Sequence, residues 1–271
     1  MPTLNITGKT AVYGILAHPT DHVRAPQVFN AAYEAAGIDA VLVPLDVKPE
    51  DLATVVEALK VTRNFHGLTV TVPHKVAMAE LCDELAPGGE RVGSVNAIRF
   101  TEDGRMLGDN FDGKGYVTGM EKAGFDFAGK KVLQLGAGGA GMSIAFSVAE
   151  AGAAEIAIAN RTVAKAEALG QRVHAAFPGT KVSGVAADAD PAGYDVVINT
   201  TSLGLHDGDA LPVDVEKLSP GAAVSEIIMT PVHTELLKRA EAKGHPIYFG
   251  KPMLEEQIKL IGAFMGCPLP E

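Results

Sequence analysis

Hydrophobic positions along this 271-residue chain alternate between short apolar runs and longer stretches of helical period, with turn residues between them. Residues 11–16 predict a first strand, and 18–25 a polar loop. Pro26 suits the first turn of a helix carrying Phe29, Ala32, Tyr33 and Ala36, which Gly37 closes. Residues 41–43 predict a second strand. Pro49-Glu50-Asp51 then opens a helix with acids in its first turn and Leu52, Val55, Val56 and Leu59 on one face. Residues 68–72 predict a third strand, ending at Pro73-His74-Lys75, and a further helix runs to about Leu85. This βαβαβ rhythm implies an α/β domain with right-handed crossovers. Residues 97–100 and 106–107, joined by Thr101-Glu102-Asp103-Gly104, read as a hairpin on the edge of that sheet.

A second α/β pattern follows the segment GDNFDGKG at 108–115, which precedes a helix to about Gly124. Residues 132–135 are too short an apolar run for a helix and suit a buried parallel strand. Gly136, Gly138 and Gly141 then give G-x-G-x-x-G, with a helix-like run at 142–151 and a further strand at 156–159. Strand, glycines, helix and strand within about thirty residues form the context in which this spacing marks a dinucleotide site. Gly136 permits a tight turn, Gly138 lets a pyrophosphate approach the backbone, and Gly141 packs helix against strand. Ala137, Gly139 and Ala140 complete the loop whose N–H groups face the phosphates. A helix over 162–177, strands near 182 and over 196–199 and 224–228, and a helix from Pro231 to Lys243 continue the pattern. A last strand over 246–249 and a helix over 250–266 with Met253, Leu254, Ile258, Ile261 and Phe264 buried complete it. The boundary near Gly113 is expected to be a packed hinge.

The end of the second strand in this pattern distinguishes one dinucleotide from another. NAD sites place Asp or Glu about 20 residues after the first glycine, on the ribose 2′-hydroxyl. Here that place holds Asn160-Arg161-Thr162, with Lys165 one helical turn beyond Arg161. Two cations at a helix start are disfavoured by the macrodipole unless an anion sits there, so a 2′-phosphate, and hence NADP, is expected.

Composition adds bounds. A net charge of −10 argues against nucleic acid as a partner. Cys82 and Cys267 match neither a metal-ligand spacing nor a disulfide framework, so no metal is expected. No signal peptide or membrane-spanning run is apparent, which makes the cytoplasm the expected compartment.

Thr69-Val-Thr-Val-Pro-His-Lys75, Gly93-Ser-Val-Asn96-Ala and Gly108-Asp-Asn-Phe-Asp112-Gly-Lys-Gly115 occur in that order before GAGGAG and NRT. Asn199-Thr-Thr-Ser-Leu-Gly204 and Gln257 follow. In combination these stretches closely resemble the shikimate dehydrogenase family across nearly the whole chain. The resemblance implies a substrate-binding and catalytic domain over 1–113, completed by a C-terminal helix at 250–271, and a Rossmann-type NADP domain over 114–249. It implies reversible hydride transfer between NADP(H) and a ring carbinol, interconverting 3-dehydroshikimate and shikimate in aromatic amino acid biosynthesis, by a monomer or homodimer. Lys75 and Asp112 match the family's catalytic pair, with Lys75 at a strand's carboxyl end and facing the nicotinamide across an interdomain cleft. Thr71, Asn96 and Gln257 match substrate contacts. Thr200 and Gly250 join the glycine loop, Asn160, Arg161, Thr162 and Lys165 as cofactor positions. Removing a hydroxyl proton as hydride leaves requires a base, and a lysine oriented by a carboxylate can accept and return that proton.

The chain also departs from the family's pattern. Where the family carries a loop of the form H-S-x-S-P for a substrate carboxylate, this chain reads His22-Val23-Arg24-Ala25-Pro26, and both hydroxyls are absent. Met229 stands where the family has a tyrosine, and Thr69 where it usually has Asn. A related cyclic polyol is therefore an alternative substrate, and a non-catalytic NADP-binding sensor or partner protein an alternative function. Retention of Lys75, Asp112, Asn96 and Gln257 argues against the latter.

Overall fold

The computed structural model describes residues 5–21 and 23–269. The chain divides into two compact units: one runs to Phe111 and resumes at Gln257, and the other is Asp112–Glu256.

The first unit contains β1 (Ala11–Ala17), α1 (Ala25–Ala36), β2 (Ala40–Asp46), α2 (Leu52–Lys60) and β3 (Phe65–Val70). It continues with α3 (Lys75–Leu81), β4 (Glu84–Leu85), α4 (Pro87–Val92), β5 (Ala97–Phe100) and β6 (Met106–Asp109). Its sheet has the order β2-β1-β3-β5-β6-β4. β1 is parallel to both β2 and β3, as a βαβαβ rhythm requires, while β5 is antiparallel to β3 and β6. Side chains alternate across β1, so the sheet is apolar on both faces. Leu16 joins Leu68, Val70, Leu52, Val56 and Met78 on the side covered by α2 and α3. Tyr13 lies on the side of α1, its ring 6.0 Å from that of Tyr33, which in turn is 5.9 Å from Phe29. Burial of each such side chain contributes roughly 1.5–3 kcal/mol, so both layers are needed to hold the sheet.

Several predicted elements differ here. The helix expected to reach Leu85 stops at Leu81. Asp83 Oδ2 accepts the Met106 N–H at 2.7 Å and Lys60 Nζ at 3.1 Å, which draws the following residues onto β6 as a short strand. β4 therefore takes the edge, and the β5–β6 hairpin lies inside the sheet. The short helix α4 has no counterpart in the expected pattern, because Gly88 and Gly89 hide it. Ala36, expected on the buried face of α1, is exposed.

The second unit contains α5 (Asp112–Lys122), β7 (Lys131–Leu135), α6 (Gly139–Glu150), β8 (Glu155–Asn160), α7 (Val163–Ala176) and β9 (Lys181–Ala186). β10 (Val196–Asn199), β11 (Ala223–Glu226), α8 (Glu235–Ala242) and β12 (Ile247–Tyr248) follow. The sheet order is β12-β11-β10-β7-β8-β9, and every pairing is parallel. Counted within the unit this is the doubly wound 3-2-1-4-5-6 arrangement, whose order reverses between β7 and β10. Leu133, Ile156 and Val197 are completely buried, as near-continuous apolar strands covered on both faces should be.

The helix expected from Pro231 begins instead at Glu235. Thr234 Oγ1 accepts the Leu237 N–H at 3.4 Å and supplies the N-cap that residues 231–233 lack. The final helix α9 (Lys251–Phe264) starts in this unit and ends in the first. Met253, Ile258 and Ile261 are buried as expected, whereas Leu254 and Phe264 are half-buried and the strongly buried tail positions are Met265 and Cys267.

Candidate active site

In the second unit the glycine turn is built where the sheet order reverses. Gly136 has φ +105°, a left-handed value that L side chains resist, and a Cβ there would stand 2.8 Å from Thr200 Oγ1. A Cβ at Gly141 would meet the same oxygen at 2.7 Å and Gly136 O at 2.8 Å. At Gly138 and Gly139 a Cβ would have no neighbour within 4 Å, so the space above the turn is open to a ligand. Gly138 is the N-cap of α6 and no side chain caps it, which leaves the first N–H groups of that helix for an anion. The pyrophosphate of a dinucleotide matches both the open backbone and the positive helix end.

Braces hold this turn in shape. Thr200 Oγ1 donates to Leu135 O at 2.8 Å, fixing the end of β10 to the end of β7. Gln134, completely buried within β7, donates from Nε2 to Gly136 O at 2.9 Å and Gly141 O at 2.8 Å. Gln134 was missed from the sequence, although a polar residue inside the apolar run Lys-Val-Leu-Gln-Leu was its signal. Asn160 Oδ1 accepts the Ala137 N–H at 3.3 Å and Nδ2 donates to Thr162 O at 2.9 Å, so this side chain ties the glycine turn to the end of β8.

A cavity of about 750 Å³ opens at the carboxyl ends of β7, β8 and β9. It gathers Gly136, Ala137, Gly138, Asn160, Arg161 and Thr200. Gly139, Ala140, Gly141, Thr162, Lys165 and Gly250 do not line it. Thr162 is the N-cap of α7, Lys165 is exposed on its first turn, and Ala140 is half-buried in α6. Gly250 is buried, with a Cβ position 2.5 Å from Ile227 C, so no larger residue fits there.

In the first unit, Thr71 is half-buried just beyond β3, and Lys75 is the first residue of α3. Their connection is anchored by His74, which is 1% exposed and donates from Nε2 to Val47 O at 2.8 Å. The Lys75 carbonyl accepts the Val95 N–H at 2.9 Å, which sets the lysine's backbone beside the loop that carries Asn96 into β5. Asn96 and Gln257, 161 residues apart, meet: Asn96 Nδ2 donates to Gln257 Oε1 at 3.0 Å, and both side chains are buried. Asn96 Oδ1 accepts the Phe111 N–H at 2.9 Å, so the same amide fixes the residue before Asp112. Asp112 is 3% exposed and opens α5 in the second unit. In the loop before α1, Val23 is half-buried and Arg24 exposed, and Ala25, the first residue of α1, is buried, while His22 lies outside the described residues. Thr69 is buried and bonds Gly14 O at 3.5 Å, and Met229 is half-buried.

A doubly wound sheet with an open glycine turn at its switch point, joined to a second α/β unit, defines a dinucleotide-binding α/β oxidoreductase. Comparison with known proteins narrows the class. Residues 15–98 match the shikimate dehydrogenase substrate binding domain, and 119–204 match shikimate / quinate 5-dehydrogenase. The shikimate dehydrogenase (NADP(+)) of Geobacter metallireducens is 38% identical over 94% of this chain and 90% of its own. A solved shikimate dehydrogenase in complex with NADP+ superposes with TM-score 0.91 at 33% identity, covering 98% of this chain and 93% of its own. The ligand-free 5-ketofructose reductase of Gluconobacter sp. strain CHM43 superposes with TM-score 0.87 at 33% identity, covering 97% and 96%. The chain belongs to the shikimate dehydrogenase family.

Proposed function

We propose that this protein is an NADP-dependent dehydrogenase acting on the CH–OH group of a ring carbinol, either shikimate, with 3-dehydroshikimate as the ketone, or a related cyclic polyol. The observation that carries the reading is the glycine turn of the second unit, open over Gly138 and Gly139 and adjoining a cavity that Arg161 lines. Those residues fit a dinucleotide bearing a 2′-phosphate: N–H groups for the pyrophosphate, a guanidinium for the phosphate, and no carboxylate at the end of β8 to repel it. Family membership and the relative from Geobacter metallireducens, a shikimate dehydrogenase (NADP(+)), support the same cofactor.

NADP supplies the hydride acceptor and, when reduced, the hydride donor. The chain's own residues handle the proton and the substrate's orientation. As hydride leaves the carbinol carbon, the hydroxyl proton passes to the Lys75 amine and the C–O bond becomes a carbonyl; in reverse, the Lys75 ammonium returns it. Asp112 orients that amine. Asn96, Thr71 and Gln257 hold the remaining hydroxyls, and because the Gln257 oxygen already accepts from Asn96, it is the Gln257 NH₂ that faces substrate. We assign 1–113 with the C-terminal helix to substrate binding and 114–249 to the cofactor, and place the protein in the cytoplasm as a monomer or homodimer. The finer identity of the carbinol turns on Val23 and Ala25, which bring no hydroxyl to a carboxylate. The structural neighbour from Gluconobacter is a 5-ketofructose reductase, and 5-ketofructose is a sugar without a carboxylate.

The test is NADPH consumption and NADP reduction over a panel of ring ketones and alcohols with and without carboxylates. Turnover on at least one ring compound is expected, and Lys75→Ala should lower it by roughly two to four orders of magnitude with NADPH affinity nearly unchanged. Tight NADPH binding with no turnover on any compound would replace the dehydrogenase by a sensor.

A further inference from the structure

The cavity of the second unit extends past Arg161 to the end of β9, the outermost strand of the sheet. Asn160 is in register with Ala186, the last residue of β9, and Asp188 lies in the turn two residues past that strand end. Asp188 lines the cavity together with Ala189, Leu211, Pro212 and Val213, which offer apolar walls to a flat ring. Three carboxylates border this end. Asp190 accepts the Ala192 N–H at 3.1 Å, and Asp214 accepts the Glu216 N–H at 3.1 Å with Lys217 Nζ 3.9 Å away. Asp188 has neither a hydrogen bond nor an ion pair with any described residue, and its carboxylate keeps its full accepting capacity.

This inference takes the cofactor reading above as its starting point. If the pyrophosphate lies over the glycine turn and the 2′-phosphate at Arg161, the base on the same ribose extends towards β9. Adenine is apolar on both faces, and its one exocyclic group, the 6-amine, is a donor. We propose that Asp188 reads the adenine of the cofactor by accepting a hydrogen bond from that 6-amine, which makes it a specificity-determining residue for the purine. Hypoxanthine carries a carbonyl in the same place, so a carboxylate held opposite the 6-position loses the amine donor, meets a second oxygen there, and must turn to the N1–H one position round the ring to bond at all.

The experiment measures dissociation constants of NADPH and of its deaminated analogue, nicotinamide hypoxanthine dinucleotide phosphate in reduced form, by nucleotide fluorescence on the whole chain. Wild type should bind NADPH about ten- to a hundredfold more tightly than the analogue, the range for a hydrogen bond to a charged group. Asp188→Ala should weaken NADPH and leave the analogue nearly unchanged, bringing the ratio close to one. Asp188→Asn, whose amide can turn its NH₂ towards the carbonyl, should bind the analogue more tightly than wild type does, which gives a gain that damaged folding cannot mimic. Tight NADPH binding by wild type without discrimination, or an equal loss of both ligands in Asp188→Ala, would overturn the assignment of Asp188 and leave the cofactor reading standing. Failure of wild type to bind NADPH would overturn both.

Discussion

Glu226 shows what a single buried side chain does to the molecule. It ends β11 with no exposed surface; Oε2 lies 3.5 Å from Asn199 Nδ2, and Oε1 has no hydrogen-bond partner among the described residues. Burial raises its pKa above the ordinary 4.5, against the smaller opposing effect of hydrogen bonds with Thr234 and Asn199. Between the unfolded and folded values the native protein holds a proton that the unfolded chain has lost. The stability linked to this group is therefore full below the unfolded value and falls as pH rises through the folded one. Glu226→Gln keeps the shape and removes the titration. It should leave the melting temperature in acid almost unaltered and raise it at alkaline pH, flattening the fall expected of wild type. Thermal melts across the pH range would refute this if both proteins lost stability in parallel. Nothing in the sequence marks Glu226 as buried, since its neighbours Val224, Ser225 and Ile227 fit an exposed or a covered strand end equally well.

Among the elements, the β8–α7 turn has the clearest expected effect. Arg161 reaches the cavity from the end of β8, whereas Lys165, on the next helical turn, does not line it, so the guanidinium is the cation placed for a 2′-phosphate. Arg161→Asp should weaken NADP binding by about ten- to a hundredfold and shift the preference towards NAD, because it removes a bidentate partner and adds like charge. The ratio of kcat/KM for the two dinucleotides checks this, and an unchanged ratio would remove Arg161 from cofactor selection. The strand–glycine–helix–strand unit was legible because each of its elements is specified locally: apolar run, positive-φ glycine, small-residue helix. The short pieces β4 and α4 were not legible. β4 exists because Asp83 is bonded to Met106 and Lys60, residues far from it in sequence. Likewise α8 starts at Thr234 through a side-chain cap, although Pro231 offered an equally plausible beginning.

For the molecule as a whole, the open matter is the substrate, and it rests on what the loop before α1 cannot do. Val23 and Ala25 have no side-chain donor to offer a carboxylate, and each missing hydrogen bond to a charged group is worth roughly 1.5–3 kcal/mol. Wild-type protein should therefore use shikimate with a Michaelis constant raised by about two to four orders of magnitude over that of a site with both hydroxyls. Val23→Ser combined with Ala25→Ser should lower that constant and leave the NADP constant alone. Efficient wild-type turnover at low micromolar shikimate would show instead that another group, with Arg24 the nearest cation in sequence, already holds the carboxylate.

Two α/β patterns, the glycine turn, the cation at the end of β8 and the family motifs at Lys75, Asn96, Asp112 and Gln257 were determined by the sequence itself, because local periodicity, backbone freedom and residue chemistry act over a few positions. What tertiary structure decided is which distant groups meet. Asn96 and Gln257 are 161 residues apart and share a hydrogen bond at 3.0 Å. Gln134 braces a turn that its own strand leads into, and Arg161 and Asp188 come to line one cavity because β9 pairs in parallel with β8. Such contacts depend on strand order and register, which follow from burying the apolar faces of the whole chain at once and which no short window of sequence contains.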